Sequence, residues 1–186
     1  MARTKHVVPH DEVAQLWLKQ EQSDARSKGG GTMYFEGATI YSYGSHFPIA
    51  RITKAPNGEE VVLLTTRKNS MTTNSHIAVV RSAANRDPRR VVYCNDVSSI
   101  SHDCNMLDFK RERDAQVEKH NKARKPELYT AAILRQAEQA REYCEVMCIP
   151  VPQWANLPDP DHFVETDKLF KGLPMRAVLA ASAPQV

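Results

Sequence analysis

Long apolar runs are missing from this sequence: nowhere in its 186 residues is there a stretch near the roughly 20 apolar residues that span a bilayer. The first segment, MARTKHVVPHDE, has none of the apolar core of a secretory signal, so no membrane contact and a cytoplasmic location are expected. Cysteine is scarce. Cys94, Cys104, Cys144 and Cys148 form no CxxC pair, which excludes a cystine framework and leaves four free thiols in a reducing compartment. Zinc could be drawn only from these thiols plus His102, without the tight knuckles of a structural site, so no metal is expected. Glycine is sparse as well, at 7 residues, with no collagen-like period. Its one cluster, Gly29-Gly30-Gly31, lacks the Lys-Thr sequel of a phosphate loop and reads as a linker. No cofactor is implied.

Acidic side chains are nearly absent from the middle of the chain. Between Gly37 and Ala84 only Glu59 and Glu60 occur. A hydrolase would need a carboxylate there to orient its base.

What is present is an ordinary globular composition, 41% hydrophobic and 25% charged, enough for one domain with appended helices. The net charge of +3 is mild, but its layout is uneven. From Glu127 onward five Lys/Arg face eight Asp/Glu, whereas the first 125 residues carry 20 basic and 14 acidic residues. A basic body with an acidic tail suits contact with a polyanion.

Periodicity divides the chain. Val13, Leu16, Trp17 and Gln20 recur at helical spacing and predict a helix over 10–27, with Asp11 and Glu12 in its first turn and Trp17 as its core anchor. Segments 32–35, 38–43, 47–53 and 60–66 are rich in aromatic and β-branched residues. Glu36-Gly37 and Asn57-Gly58 mark the turns between them, giving a meander of three or four antiparallel strands. Pro48 belongs at a strand start or edge. Thr72 or Thr73 is placed to cap a helix running to Ala84, and Ile77, Val80 and Ala84 should face the sheet. A further strand is expected over 90–94. A long helical region opens near Asp103 and breaks at Pro126. Its first half is polar nearly all round, whereas its second carries a stripe of Tyr129, Ile133, Ala137, Ala140, Cys144 and Met147. Pro150, Pro152, Pro158 and Pro160 mark an extended tail, with a brief helix expected over 163–170. The expected fold is α+β: a small antiparallel meander packed by short helices over 1–102, a helical hairpin over 103–149, and an extended Pro-rich tail over 150–186.

Several strings in the first half stand out: Val13-Ala14-x-Leu16-Trp17, Tyr34-Phe35-x-Gly37, Ile40-Tyr41-Ser42-Tyr43-Gly44-Ser45-His46-Phe47-Pro48-Ile49-Ala50, Leu64-Thr65-Thr66-Arg67, and Ser70-x-Thr72-Thr73-x-x-His76 followed by Arg81. Through them, residues 10–85 resemble an uncharacterised domain of bacteria and their phages. The resemblance implies an intracellular protein of bacterial or phage origin and no particular reaction.

Two sets of residues carry candidate chemistry. His46 follows a strand end where Gly44 permits a sharp turn. His76 lies in the first turn of its helix, where the dipole favours a neutral imidazole. With Ser45, Ser70 or Ser75 they suggest a nucleophile and base, or else hydrogen bonding that locks a loop. The stronger signal is basic. Arg51, Lys54, Arg67, Lys68, Arg81, Arg86, Arg89 and Arg90 fall within forty residues holding three acids. Arg67, Arg81, Arg89 and Arg90 are expected to share a face, and Tyr34, Tyr41 and Tyr43 beside them could stack bases. Alternation places Tyr41 and Tyr43 on one side of the strand and Ile40 and Ser42 on the other. The binding residues expected are therefore Arg67, Arg81, Arg89, Arg90, Tyr41, Tyr43, His46 and His76. The leading function is a non-catalytic accessory protein that binds RNA, DNA or another macromolecule. Beside it stand a structural subunit assembling with protein partners or itself through the C-terminal helices, and an enzyme using His46 and His76.

Overall fold

The computed structural model describes residues 6–67, 69–98 and 102–156. The chain divides into two units. One runs to His102 and takes in Val146–Cys148, and the other holds Asp103–Glu145 and the chain from Ile149. The fold is α+β. The brief helix expected over 163–170 lies outside the described residues, as does Lys68.

The first unit is one sheet of seven strands in sequential order: β1 (Val7–Val8), β2 (Asp24–Ser27), β3 (Met33–Glu36), β4 (Thr39–Ser42), β5 (Pro48–Lys54), β6 (Glu60–Thr65) and β7 (Arg90–Cys94). Strands β2 to β6 form an antiparallel meander, and a parallel pair closes each end, β1 with β2 and β6 with β7. Parallel neighbours need a crossover. Helix α1 (His10–Lys19) provides the first and α2 (Met71–Ala84) the second. Both helices cover the same face, where Trp17, Val13, Phe35, Ile40, Leu64, Ile77, Val80 and Ala84 form the core.

The sheet exceeds the expected three or four strands because residues 24–27 are not helical. Helix α1 stops at Lys19, and Gln20 takes a left-handed conformation (φ 53°) while its side-chain amide donates to the Trp17 carbonyl. The apolar helical spacing ends there too. Asp24-Ala25-Arg26-Ser27 instead alternates exposed and buried, the period of a strand. Gly29, Gly30 and Gly31, all at positive φ, close the β2–β3 hairpin rather than link two segments. Pro48 opens β5 opposite Tyr41, next to a register shift at Ile40/Tyr41, so its missing amide hydrogen costs no ladder bond.

Helix α2 begins at Met71, ahead of both threonines, and its cap is neither Thr72 nor Thr73. Ser70 Oγ accepts the Thr73 amide hydrogen at 3.3 Å. An N-cap needs its own backbone outside the helix, and Ser70 has it (φ −57°, ψ 158°), whereas both threonines lie within the helix. Ser70→Ala is expected to cost about 1 kcal/mol of stability and Thr72→Ala close to nothing. Urea unfolding of the two variants checks this, and equal losses would contradict the assignment.

In the second unit, α3 (His102–Lys122) and α4 (Glu127–Met147) run antiparallel on either side of Pro126. Asn105 Nδ2 donates to the Tyr143 hydroxyl at 3.1 Å, and the Phe109 ring meets Tyr143 edge-on at 5.8 Å. From the predicted stripe Ile133, Ala137, Ala140, Cys144 and Met147 are buried. The Arg113 guanidinium stacks on Trp154 at 5.2 Å and donates to its carbonyl, fixing a single 3₁₀ turn at Gln153–Ala155. Among the described residues no helix is long and apolar enough to cross a membrane.

Candidate functional site

Where β4 ends against the start of α2, a polar cluster interrupts the core. Ser42 Oγ lies 2.8 Å from His76 Nδ1 and donates to Thr73 Oγ1 at 3.4 Å. Thr73 also receives the Ser70 hydroxyl. The His76 ring stacks on His10 at 4.9 Å, and His10 in turn reaches Thr32 Oγ1. A serine hydroxyl against an imidazole has the outline of a nucleophile and its base. Here, however, Ser42 is 1% and His76 4% exposed, so a substrate has no approach to the hydroxyl. The arrangement joins the strand end to the helix start.

His46 takes no part in it. That side chain is exposed, and its ring lies so close over Gly44 that a Cβ there would come within 2.7 Å. No hydrogen bond or ring contact joins it to His76 among the described residues. The two histidines are not assembled into one site.

Burial, and then the neighbouring His10, depress the His76 pKa below its usual value. The native state therefore holds this imidazole neutral at a pH where the unfolded chain binds a proton. The resulting stability is fully present above about pH 6.5 and is lost as pH falls toward the depressed native value. Thermal unfolding should show a midpoint falling between pH 7 and pH 5 (about the histidine range), with a shallower fall in His76→Gln. An unchanged slope in that variant would contradict the assignment.

The arginines do not share a face. Arg67 is exposed in the loop after β6. Arg81 projects from α2 and lies over the Tyr93 ring at 5.8 Å, on the helix-covered side of the sheet, where Tyr93 packs against the core. Arg90 alternates with Tyr93 along β7 and so belongs to the opposite side. Arg89 is committed within the fold. Its guanidinium donates to both Asp87 carboxylate oxygens and to the Leu18 carbonyl, tying the turn before β7 to the C-terminal end of α1. The hydrogen bond from Arg89 holds the Asp87 carboxyl below its ordinary range, and the same contact raises the arginine.

Tyr43 also departs from its expected side. It lies just past the end of β4 with φ 62°, is 57% exposed, and tilts over His76 at 5.8 Å. Alternation fails because the chain leaves the strand at Ser42 to enter the turn around Gly44.

Tyr41 does face away from α1 and α2, and it has a partner. Tyr34 on β3 is its register neighbour, and the rings stack with centroids 5.1 Å apart and planes 20° from parallel. Arg26 stands opposite Tyr34 on β2, and Arg51 stands opposite Thr39 on β5. Beside the rings opens a groove of about 500 Å³ lined by His6, Asp24, Arg26, Gly30, Gly31, Tyr34 and Glu36 among others. Hydrogen bonds from His6 and Ser23 lower the Asp24 pKa. Burial, then the charge of Glu36, raises that of the Tyr34 phenol, keeping it a neutral donor. The helix expected over 10–27 hides Arg26 and the groove, because residues 24–27 form a strand instead. The exposed–buried alternation of residues 24–27 ahead of a glycine triplet was the available signal.

Among the described residues no three His, Cys, Asp or Glu side chains are gathered to hold a metal ion. Burial pushes the Cys94 thiol up to about 12, so it is an inert core group. Comparison of the chain with family models, curated proteins and solved structures returns no significant match. The likeness of residues 10–85 to a bacterial and phage domain rests on the quoted strings alone.

Proposed function

We propose that the protein is a non-catalytic binder of single-stranded nucleic acid, acting in the cytoplasm as an accessory to a larger process. The stacked pair Tyr34–Tyr41, on the sheet face away from α1 and α2, carries this reading. Aromatic rings on a sheet offer π-faces to successive bases whatever their sequence, and neighbouring cations hold the backbone. Arg26 and Arg51 flank the rings, and the basic excess of the first 125 residues adds long-range attraction. Arg67 and Arg81, exposed elsewhere on this unit, are further backbone contacts in this reading. The His76 cluster has a structural part, holding β4 and hence Tyr41 in place.

Assembly through the C-terminal hairpin has less to support it. Leu107 and Leu128 are exposed singly on different helices, as scattered apolar residues ordinarily are.

Fluorescence anisotropy with labelled single strands of about twelve nucleotides tests the proposal. Binding near 50 mM salt is expected, with log K falling linearly in log salt by about 0.7 for each phosphate neutralised. No binding at that salt would overturn it.

A further inference from the structure

The groove beside Tyr34 contains two charged groups with nothing to hold. The side chains of Arg26 and Glu36 make no hydrogen bond or ion pair among the described residues, whereas that of Asp24, the other carboxylate in the groove and the register partner of Glu36, is engaged by His6 and Ser23. Arg26 is the direct cross-strand neighbour of Tyr34. Glu36 lies two residues farther along β3 on the same face, roughly 7 Å from Tyr34. Gly30 adds no side chain to the wall, and a Cβ placed on it would meet nothing within 4 Å. Stacking ring, cation, free carboxylate and low glycine wall thus border one cavity.

Resting on the nucleic-acid reading above, we infer that this groove selects guanine. A base stacked on Tyr34, with its phosphate toward Arg26, directs its pairing edge along the strand to Glu36. A carboxylate is an acceptor only, with two oxygens side by side. Guanine alone among the bases presents two adjacent donors on that edge, the N1 hydrogen and the N2 amine. Adenine and cytosine present one amine beside a ring acceptor, and uracil presents one ring N–H between two carbonyls. The paired donors of guanine therefore meet both carboxylate oxygens, and every other base leaves one oxygen facing an acceptor or nothing. Backbone contacts carry affinity without sequence information, and an edge contact of this kind supplies the discrimination.

The test compares labelled GU-repeat and AU-repeat single strands of equal length. The GU strand is expected to bind about tenfold tighter, the scale of one good bidentate base contact. Inosine, which lacks the N2 amine, should bring the GU strand close to the AU strand. Glu36→Gln should remove the GU-over-AU preference in the protein, since an amide offers one acceptor and one donor where guanine needs two acceptors. Arg26→Ala should weaken both strands alike. Equal binding of GU and AU by the unaltered protein overturns the guanine assignment and leaves the nucleic-acid reading standing. Absence of binding to either strand overturns both. Glu36 is exposed at a strand end, so its variant keeps the fold, and an unchanged far-UV spectrum verifies this.

Discussion

Trp17→Ala is expected to cost about 3–5 kcal/mol of folding free energy, the range for removing a fully buried large aromatic. Trp17 is completely buried and packs in the cluster that includes Val13, Phe35 and Ile40. Its indole N–H donates to the Ala38 carbonyl at 3.0 Å, which joins α1 to the β3–β4 turn. Against a typical domain stability of about 5–15 kcal/mol, such a loss leaves little margin. Trp17→Phe should cost less, about 1–3 kcal/mol. It keeps most of the ring volume, and the Ala38 carbonyl still accepts the Ile52 amide hydrogen at 2.9 Å. Urea unfolding of the three proteins gives the comparison. A Trp17→Ala loss under about 1 kcal/mol would contradict the described packing of α1 on the sheet.

Tyr34→Leu is expected to weaken single-strand binding by about tenfold or more, since one base stacked on an aromatic ring is worth roughly 1–3 kcal/mol. Tyr41→Leu should act in the same direction. The two losses should not add, because the rings stack on each other and removing either disturbs the other. Leucine retains the apolar cover of the strand, and a cross-strand pair contributes only about 0.2–1 kcal/mol, so both variants should remain folded. Tyr43→Leu serves as the control. That ring lies past the strand end over His76, and its loss should leave affinity unchanged. Tyr43→Leu matching Tyr34→Leu would place the binding surface at the α2 end instead.

The central strands were legible because their signals are local. Alternation marks β4 to β6, Asn57-Gly58 turns the chain at positive φ, and Pro48 can only open or border a strand. The α+β class followed from those segments and from the apolar spacing of α1, α2 and α4. Strands β1 and β2 were not legible for the opposite reason. Val7-Val8 is too short to show a period, and the alternation of Asp24–Ser27 spans only four residues, so its pairing with β1 and β3 is what makes it a strand. The cap of α2 fell to Ser70 because backbone conformation, not the mere presence of a hydroxyl, defines the position.

The site was less legible than the fold. Tyr41 was found by alternation, yet its stacking on Tyr34 depends on the β3–β4 register, set by the turn at Gly37. Arg81 and Arg90 are near in sequence, but a helix and a strand aim them to opposite sides of the sheet. Arg89 resembled a surface cation until its bond to the Leu18 carbonyl, 71 residues away, revealed a structural tie. Sequence proximity gathers charges, whereas only the fold decides which of them face one ligand.

Ultraviolet crosslinking of a bound single strand, followed by mass spectrometry of the peptides, addresses the central claim most directly. The account predicts nucleotide adducts on the peptides containing Tyr34 and Tyr41, with protection of Arg26 from arginine-specific modification in the same complex. Adducts confined to the loop of Arg67, to α2 around Arg81 or to the C-terminal hairpin, with Tyr34 and Tyr41 unmodified, would contradict it.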